Sequence, residues 1–268
     1  MCNSLDLDRD GIEALFETIV TELSELENHG ISVAIPGQQS IQVFGTLAQF
    51  TGDNLGFIES FSGDYNCIMC YATREEMQTF THECDFKVRT NTEYEADLIA
   101  LAGLTDVSHY RGIKRSSKLN ELKYFHIIEN WVNDCFHTLF EGVIPYVTGA
   151  VLFFLFKEYP NLKVESFNVE MHSIYNILIV ERNNKPKEIN AFLPPGDNMS
   201  PKQCASDVWA MFRYIPLILS RFVENGNNYL DLLLRLQNIV DFILAPVLTD
   251  SLLSLMSTLI SEFIQQFK

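Results

Sequence analysis

Along residues 11–28, apolar side chains fall at Ile12, Leu15, Phe16, Ile19, Val20, Leu23 and Leu26, with glutamates between them. That spacing predicts an amphipathic helix, and Gly30 is a natural stop for it. A short apolar run, Ile31 to Ile35, ends at Pro36, and residues 37–40 suit a turn. Ile41 to Phe50 lacks a helical period and predicts one strand, closing at Thr51-Gly52-Asp53. A helix is predicted over Thr92 to Leu104, capped by Asn91 or Thr92. Beyond Lys123 the pattern turns helical. Val132 to Tyr159 is long and apolar, Val164 to Tyr175 gives a weaker signal, and Ser200 to Val223 has Pro201 at a first-turn position. Tyr229 to Ala245 and Thr249 to Phe267 are two further helices separated by Pro246. Ile189 to Met199 contains Pro194-Pro195-Gly196 and predicts a loop. The fold class expected is α+β, mostly α, in three stretches: residues 1–60 with the strand signal, 61–131 of mixed pattern, and 132–268 helical. No repeat is evident.

Composition fits this picture. The 268 residues suffice for one large domain or two small ones, and 47% apolar against 20% charged side chains favours a buried core over disorder. Net charge is −16. Proteins that grip duplex DNA unaided concentrate Lys and Arg, because phosphate neutralisation supplies much of the affinity. Autonomous, non-specific DNA binding is therefore disfavoured. The opening MCNSLDLDRD has no apolar core of a signal peptide. An intracellular, reducing compartment is expected, with the six cysteines as thiols or metal ligands rather than disulfides. No membrane span is expected. Gly142 to Phe156 is apolar but carries Pro145 and falls short of the ~18 residues a span needs.

Four constellations could carry chemistry. Asp53 follows the predicted strand and a glycine, where open α/β sheets present their sites; Gly-Asp-Asn is equally ordinary turn chemistry. Cys67-x2-Cys70 has the spacing of half a zinc site, with His82 and Cys84 close behind in sequence, and buried thiols are the alternative. Asp134, His137 and Glu141 are spaced to share one helix face. Carboxylate plus imidazole suits metal binding or proton transfer, and a capped helix start with a half-buried histidine is the plainer reading. Arg111, Lys114, Arg115 and Lys118, continuing to Lys123, form the one basic stretch, able to touch phosphate or simply to be solvated. Nothing resembles a phosphate-binding Gly-rich loop or a serine nucleophile elbow.

The order of these features is similar to a known family. Gly45-Thr46-Leu47, then Gly52-Asp53-Asn54-Leu55-Gly56-Phe57, Glu59-Ser60-Phe61-Ser62 and Tyr65-Asn66-Cys67-Ile68-Met69-Cys70 resemble the stretch around the second catalytic aspartate of CACTA/Chapaev-type DDE transposases. Ser117-x-Leu119-Asn120-x-Leu122-x-Tyr124-Phe125-His126 resembles a later segment of these proteins, as does Asp134-Cys135-Phe136-His137-Thr138-Leu139-Phe140-Glu141-Gly142-Val143. The helix with Trp209, Arg213 and Pro216-Leu217 also fits.

The resemblance implies a ribonuclease-H-like core interrupted by a large helical insertion. Two Asp and one Glu would hold two divalent metals, Mg²⁺ or Mn²⁺, which activate water and then a 3′ hydroxyl for attack on phosphodiesters. Asp53 matches the second acid. The first acid's strand would lie before Gly11, and the final Glu and the His pair that completes the zinc site would lie beyond the helical region. The sequence closes at Gln266-Phe267-Lys268, with no His after His172. Asp241 and Glu262 stand outside the family's context and are taken as helix-surface residues. The expectation is a catalytically incomplete remnant with an incomplete core of few strands and an exposed apolar patch. The alternatives are an active transposase subunit whose missing acids come from elsewhere, and a helical interaction module with no nucleic-acid role. DNA as partner and a nuclear location follow from the resemblance, and self-association from the apolar helices.

Overall fold

The computed structural model describes residues 4–52, 67–177, 185–190 and 204–268. It is mostly helical with a few short strands. The chain forms two units, one of residues 1–80 and 86–134, the other of 81–85 and 135–268.

The first unit opens with helix α1 (Ser4–Asn28). Gly30 ends it at φ +64, its N–H donating to the Glu25 carbonyl at 3.1 Å. A Cβ on Gly30 would come within 2.5 Å of the Val43 carbonyl oxygen, so both conformation and space require glycine here. Strands β1 (Ile31–Val33) and β2 (Ile41–Val43) then pair antiparallel, Ile31 opposite Val43. Every residue of both is exposed, including Ile31, Val33, Ile41 and Val43, with exposed Phe44 just beyond.

The single strand expected over Ile41 to Phe50 is in fact two. The chain leaves β2 after Val43, and β3 (Phe50–Gly52) pairs instead with β4 (Trp131–Asn133) in parallel. Between them, Gly45 packs so tightly on α1 that a Cβ would meet Leu26 at 3.0 Å. β4 also corrects the expected helix from Val132: Val132 and Asn133 are in the strand. Helix α2 (Arg74–Thr79) starts with a capping box, Thr73 accepting from the Glu76 N–H and Glu76 from the Thr73 N–H. Helix α3 (Asn91–Ala102) is capped by Thr90, not by Asn91 or Thr92.

Val20, Tyr94, Ile113, Leu119, Leu122, Phe125, Ile127 and Trp131 form this unit's core. The segment around Leu119, Leu122 and Phe125 contains one short 3-10 turn (Lys118–Glu121) and is held further by side chains. Asn120 accepts from the Ile127 N–H, and His126 Nδ1 caps Ile128 at the start of the short helix α4 (Ile127–Asn130). Asn130 joins the His126 N–H to the Ala48 carbonyl.

The second unit is helical in its regular structure. A π-helical turn (His137–Val143) runs directly into α5 (Ile144–Glu158). Pro145 explains the winding. It cannot donate to Glu141, and Ile144 donates five residues back, to Leu139. His137–Glu158 is thus one helix, and by length and apolar character it could cross a membrane. Of its most apolar 18-residue stretch, 61% is buried in the structure, as in the core helix of a bundle. Helices α6 (Val164–Ile177), α7 (Ala205–Leu219), α8 (Asn228–Ile243) and α9 (Asp250–Phe267) complete the unit. Pro201, and most of the expected Ile189 to Met199 loop, lie outside the described residues.

α7 contains Pro216, which has no N–H to offer the Phe212 carbonyl. The Gln237 side chain on α8 donates to that carbonyl instead. Buried Asn168 on α6 performs a similar service for an extended segment. It exchanges two hydrogen bonds with the Ile189 backbone, at 2.9 and 3.0 Å.

Candidate functional site

β3 and β4 run parallel with Gly52 opposite Asn133 as the last residue of each. Two parallel strands in register release their chains at the same end. In both, the next residue in sequence is an aspartate: Asp53 after Gly52, Asp134 after Asn133. Asp134 is half-buried; Asp53 lies outside the described residues. Aromatic packing holds the pair together, Phe50 lying 5.8 Å from both Phe16 and Trp131 between ring centroids.

The cysteine pair lies at the same strand end. The Asn133 side-chain amide donates to the Met69 sulfur at 3.4 Å, and Met69 sits between Cys67 and Cys70. An isolated antiparallel bridge, Cys70 opposite Val88, fixes the backbone, with Tyr71 N–H on Lys87 and Arg89 N–H on Met69. Both cysteines are half-buried. Burial, then the hydrogen bond with Cys67, pushes the Cys70 thiol up to about 11, against the opposing pull of the Ala72 N–H and of Arg89.

Behind the pair is a buried polar network that the sequence reading missed. Arg89 is 2% exposed and donates to the carbonyls of Cys70 (3.2 Å) and Arg111 (2.8 Å). Its guanidinium lies 4.2 Å from the centre of the Tyr71 ring. Tyr71 donates to Asp97 at 2.8 Å, and Arg111 meets the other oxygen of Asp97 at 3.4 Å. Burial and the Asp97 hydrogen bond raise the Tyr71 phenol to about 12. One signal was available: Asp97 falls three residues after buried Tyr94, on the inward face of α3. Tyr71, Arg89 and Arg111 have no mutual spacing that could have revealed the rest.

The basic stretch is woven into this network. Tyr110 and Ile113 exchange two backbone hydrogen bonds across a tight turn in which Arg111 (φ 48) and Gly112 (φ 86) both have positive φ. Arg111 is engaged by Asp97 and Lys118 by Glu121 (2.8 Å). Lys114 is half-buried and Arg115 exposed, and the Arg115 carbonyl accepts from Tyr94. Arg111 and Lys118 thus each face a carboxylate, which reduces the field they could offer an anion.

His82 and Cys84 belong to the second unit, where His82 Nε2 lies 3.1 Å from the Ser261 hydroxyl and Cys84 is exposed. His137 and Glu141 adjoin on the π turn at 3.7 Å, and Asp134 immediately precedes the helix. Asp241 lines a cleft of about 220 Å³ between α7 and α8 with Trp209, Arg213, Tyr214 and Gln237, and Glu262 pairs with Arg235. Among the described residues, no three His, Cys, Asp or Glu side chains group closely enough to hold a metal ion.

No family model, curated protein or solved structure matches the chain.

Proposed function

We propose that this chain derives from a DDE transposase of the CACTA/Chapaev type, that its first unit belongs to a ribonuclease-H-like core, and that on the acids of this stretch it does not cut DNA by itself. One observation carries the reading: parallel β3 and β4 end in register, and an aspartate follows each. Asp134 is on this reading a second carboxylate of the metal centre, alongside the Asp53 that the resemblance assigns to it. The motif order through Cys67, Cys70 and His137 supports the same descent.

Two carboxylates can steady one Mg²⁺ or Mn²⁺. Two-metal phosphoryl transfer requires more, since both the attacking and the leaving oxygen must be stabilised. DNA would be the partner, with Arg111, Lys114, Arg115 and Lys118 as its candidate contacts. A nuclear location follows from that role. Mn²⁺ titration followed by the paramagnetic relaxation of water tests the metal centre. Asp53→Ala and Asp134→Ala should each weaken binding, and Glu141→Ala should not. Nicking of supercoiled DNA with Mg²⁺ or Mn²⁺ tests the inactivity; cleavage that Asp53→Ala abolishes would overturn it.

Asp134 also favours a second reading, an active subunit whose further acid comes from sequence outside this stretch or from a partner chain. Cleavage that appears only when such a segment is added would select it.

A further inference from the structure

The cleft between α7 and α8 joins an aromatic wall to a cation and a carboxylate. It measures about 220 Å³ and is lined by Trp209, Phe212, Arg213, Tyr214, Gln237 and Asp241. Pockets for drug-sized ligands run to ~300–1,000 Å³, so a cleft of this size suits a single planar ring system. We propose that it binds a guanine base, stacked on Trp209 and hydrogen-bonded to Arg213 and Asp241. All six residues belong to the second unit, so this site stands independently of the metal centre and of descent from a transposase.

The lining is braced from behind. Trp209 meets buried Phe140 edge to face, 4.9 Å between ring centroids. Tyr214 meets buried Tyr175 in the same way at 5.2 Å, and the Tyr175 hydroxyl is itself tied to the Ala210 carbonyl. The Gln237 amide is fixed by the Phe212 carbonyl, and Asp241 stands one helical turn further along α8. Trp209 and Tyr214 are half-buried, while Arg213 and Asp241 are exposed and within reach of a ligand arriving from solvent.

The charges select the ligand. A simple anion would meet Asp241 and a simple cation would meet Arg213, so neither is complementary to the cleft. A planar ring with acceptors on one edge and donors on the next satisfies both. Guanine O6 and N7 accept from a guanidinium in a bidentate contact. Its N1–H and 2-amino group donate to a carboxylate, which accepts two such bonds. Adenine carries an amino group where guanine has O6, which would set a donor against Arg213. The Arg213 guanidinium lies 5.7 and 5.2 Å from the ring centres of Trp209 and Tyr214 and donates to the Tyr214 hydroxyl at 3.2 Å. That contact orients a group with five donors beside the stacking surface.

Trp131 and Trp209 are the two tryptophans of the chain, so nitrogen-labelled protein gives two indole N–H signals in NMR. Guanosine should move one of them, identified as Trp209 by its loss in Trp209→Phe. Adenosine and cytidine should bind about tenfold more weakly, and Asp241→Asn should weaken guanosine by about tenfold. Asp241 is exposed, so its variant keeps the test open should Trp209→Phe misfold. A short oligothymidylate with one central guanine separates the sources of the base. Binding tighter than guanosine would assign the site to an unpaired guanine in a strand, and binding no tighter to the free nucleoside. A Trp209 signal that millimolar guanosine leaves in place would overturn the proposal. So would equal binding of the three nucleosides, or guanosine binding unchanged in Asp241→Asn.

Discussion

The two units bury different things. Among the described residues, the charged side chains taken out of water are Glu27, Arg89 and Asp97, all in the first unit. The second unit buries only neutral polar groups, Thr148, Asn168 and Ser261, among a much larger set of aliphatic and aromatic side chains. Burying a charge costs several kcal/mol unless hydrogen bonds replace its water. The first unit meets that cost with specific partners. Glu27 accepts from the Thr46 hydroxyl and the Lys123 N–H, and Asp97 from Tyr71 and Arg111. One unit is therefore held by a few directional contacts around an irregular chain, the other by packing. Candidate chemistry falls with the first, because only directional contacts fix ionisable groups in place.

The packing side of this contrast predicts the largest effect. Phe167 and Leu233 are fully buried in the second unit's core. Phe167→Ala should cost about 3–5 kcal/mol in denaturant unfolding, and Leu233→Ala about 2–5. A loss below about 1 kcal/mol at either would break the comparison.

Asp97→Ala should cost about 2 kcal/mol, less than removing one partner of a fully buried pair, since Arg111 is half exposed and can return to water. The same network predicts a dependence on pH. The Tyr71 phenol is raised in the folded state, so its protonated form contributes stability that is complete below about 10. That contribution is lost as pH rises through about 12. Phenolate absorbance should show one tyrosine titrating late, and Asp97→Asn should bring it back toward the ordinary value. Late titration that survives Asp97→Asn would show that burial alone is responsible.

Gln237→Leu should cost about 1–2 kcal/mol by leaving the Phe212 carbonyl without its donor. In a Pro216→Ala background the helix can supply that donor itself, so the cost should shrink. An unchanged cost would mean that the amide acts by packing. The smallest effect is expected at the first unit's surface: Thr73→Ala should remove about 1 kcal/mol or less through the lost capping box of α2.

The sequence by itself determined the helices. α1, α8 and α9 follow from apolar residues at intervals of three and four, a period the backbone imposes within each turn. It also placed the chemistry-bearing residues in order, including Asp53, the Cys pair and Asp134. What it left open was non-local. The N-cap at Thr90 lay one residue outside the expected positions because several neighbours can serve as acceptors. β4 is three residues long, too short for any period to register, and it becomes a strand only because Phe50 and Trp131 meet across 81 positions of chain. The break of the long predicted strand at Gly45 depends on a contact with Leu26 of α1. The pairing that places an aspartate after each of two parallel strands is likewise a tertiary decision. Local spacing fixes which face a side chain takes; only packing between distant segments decides which faces meet.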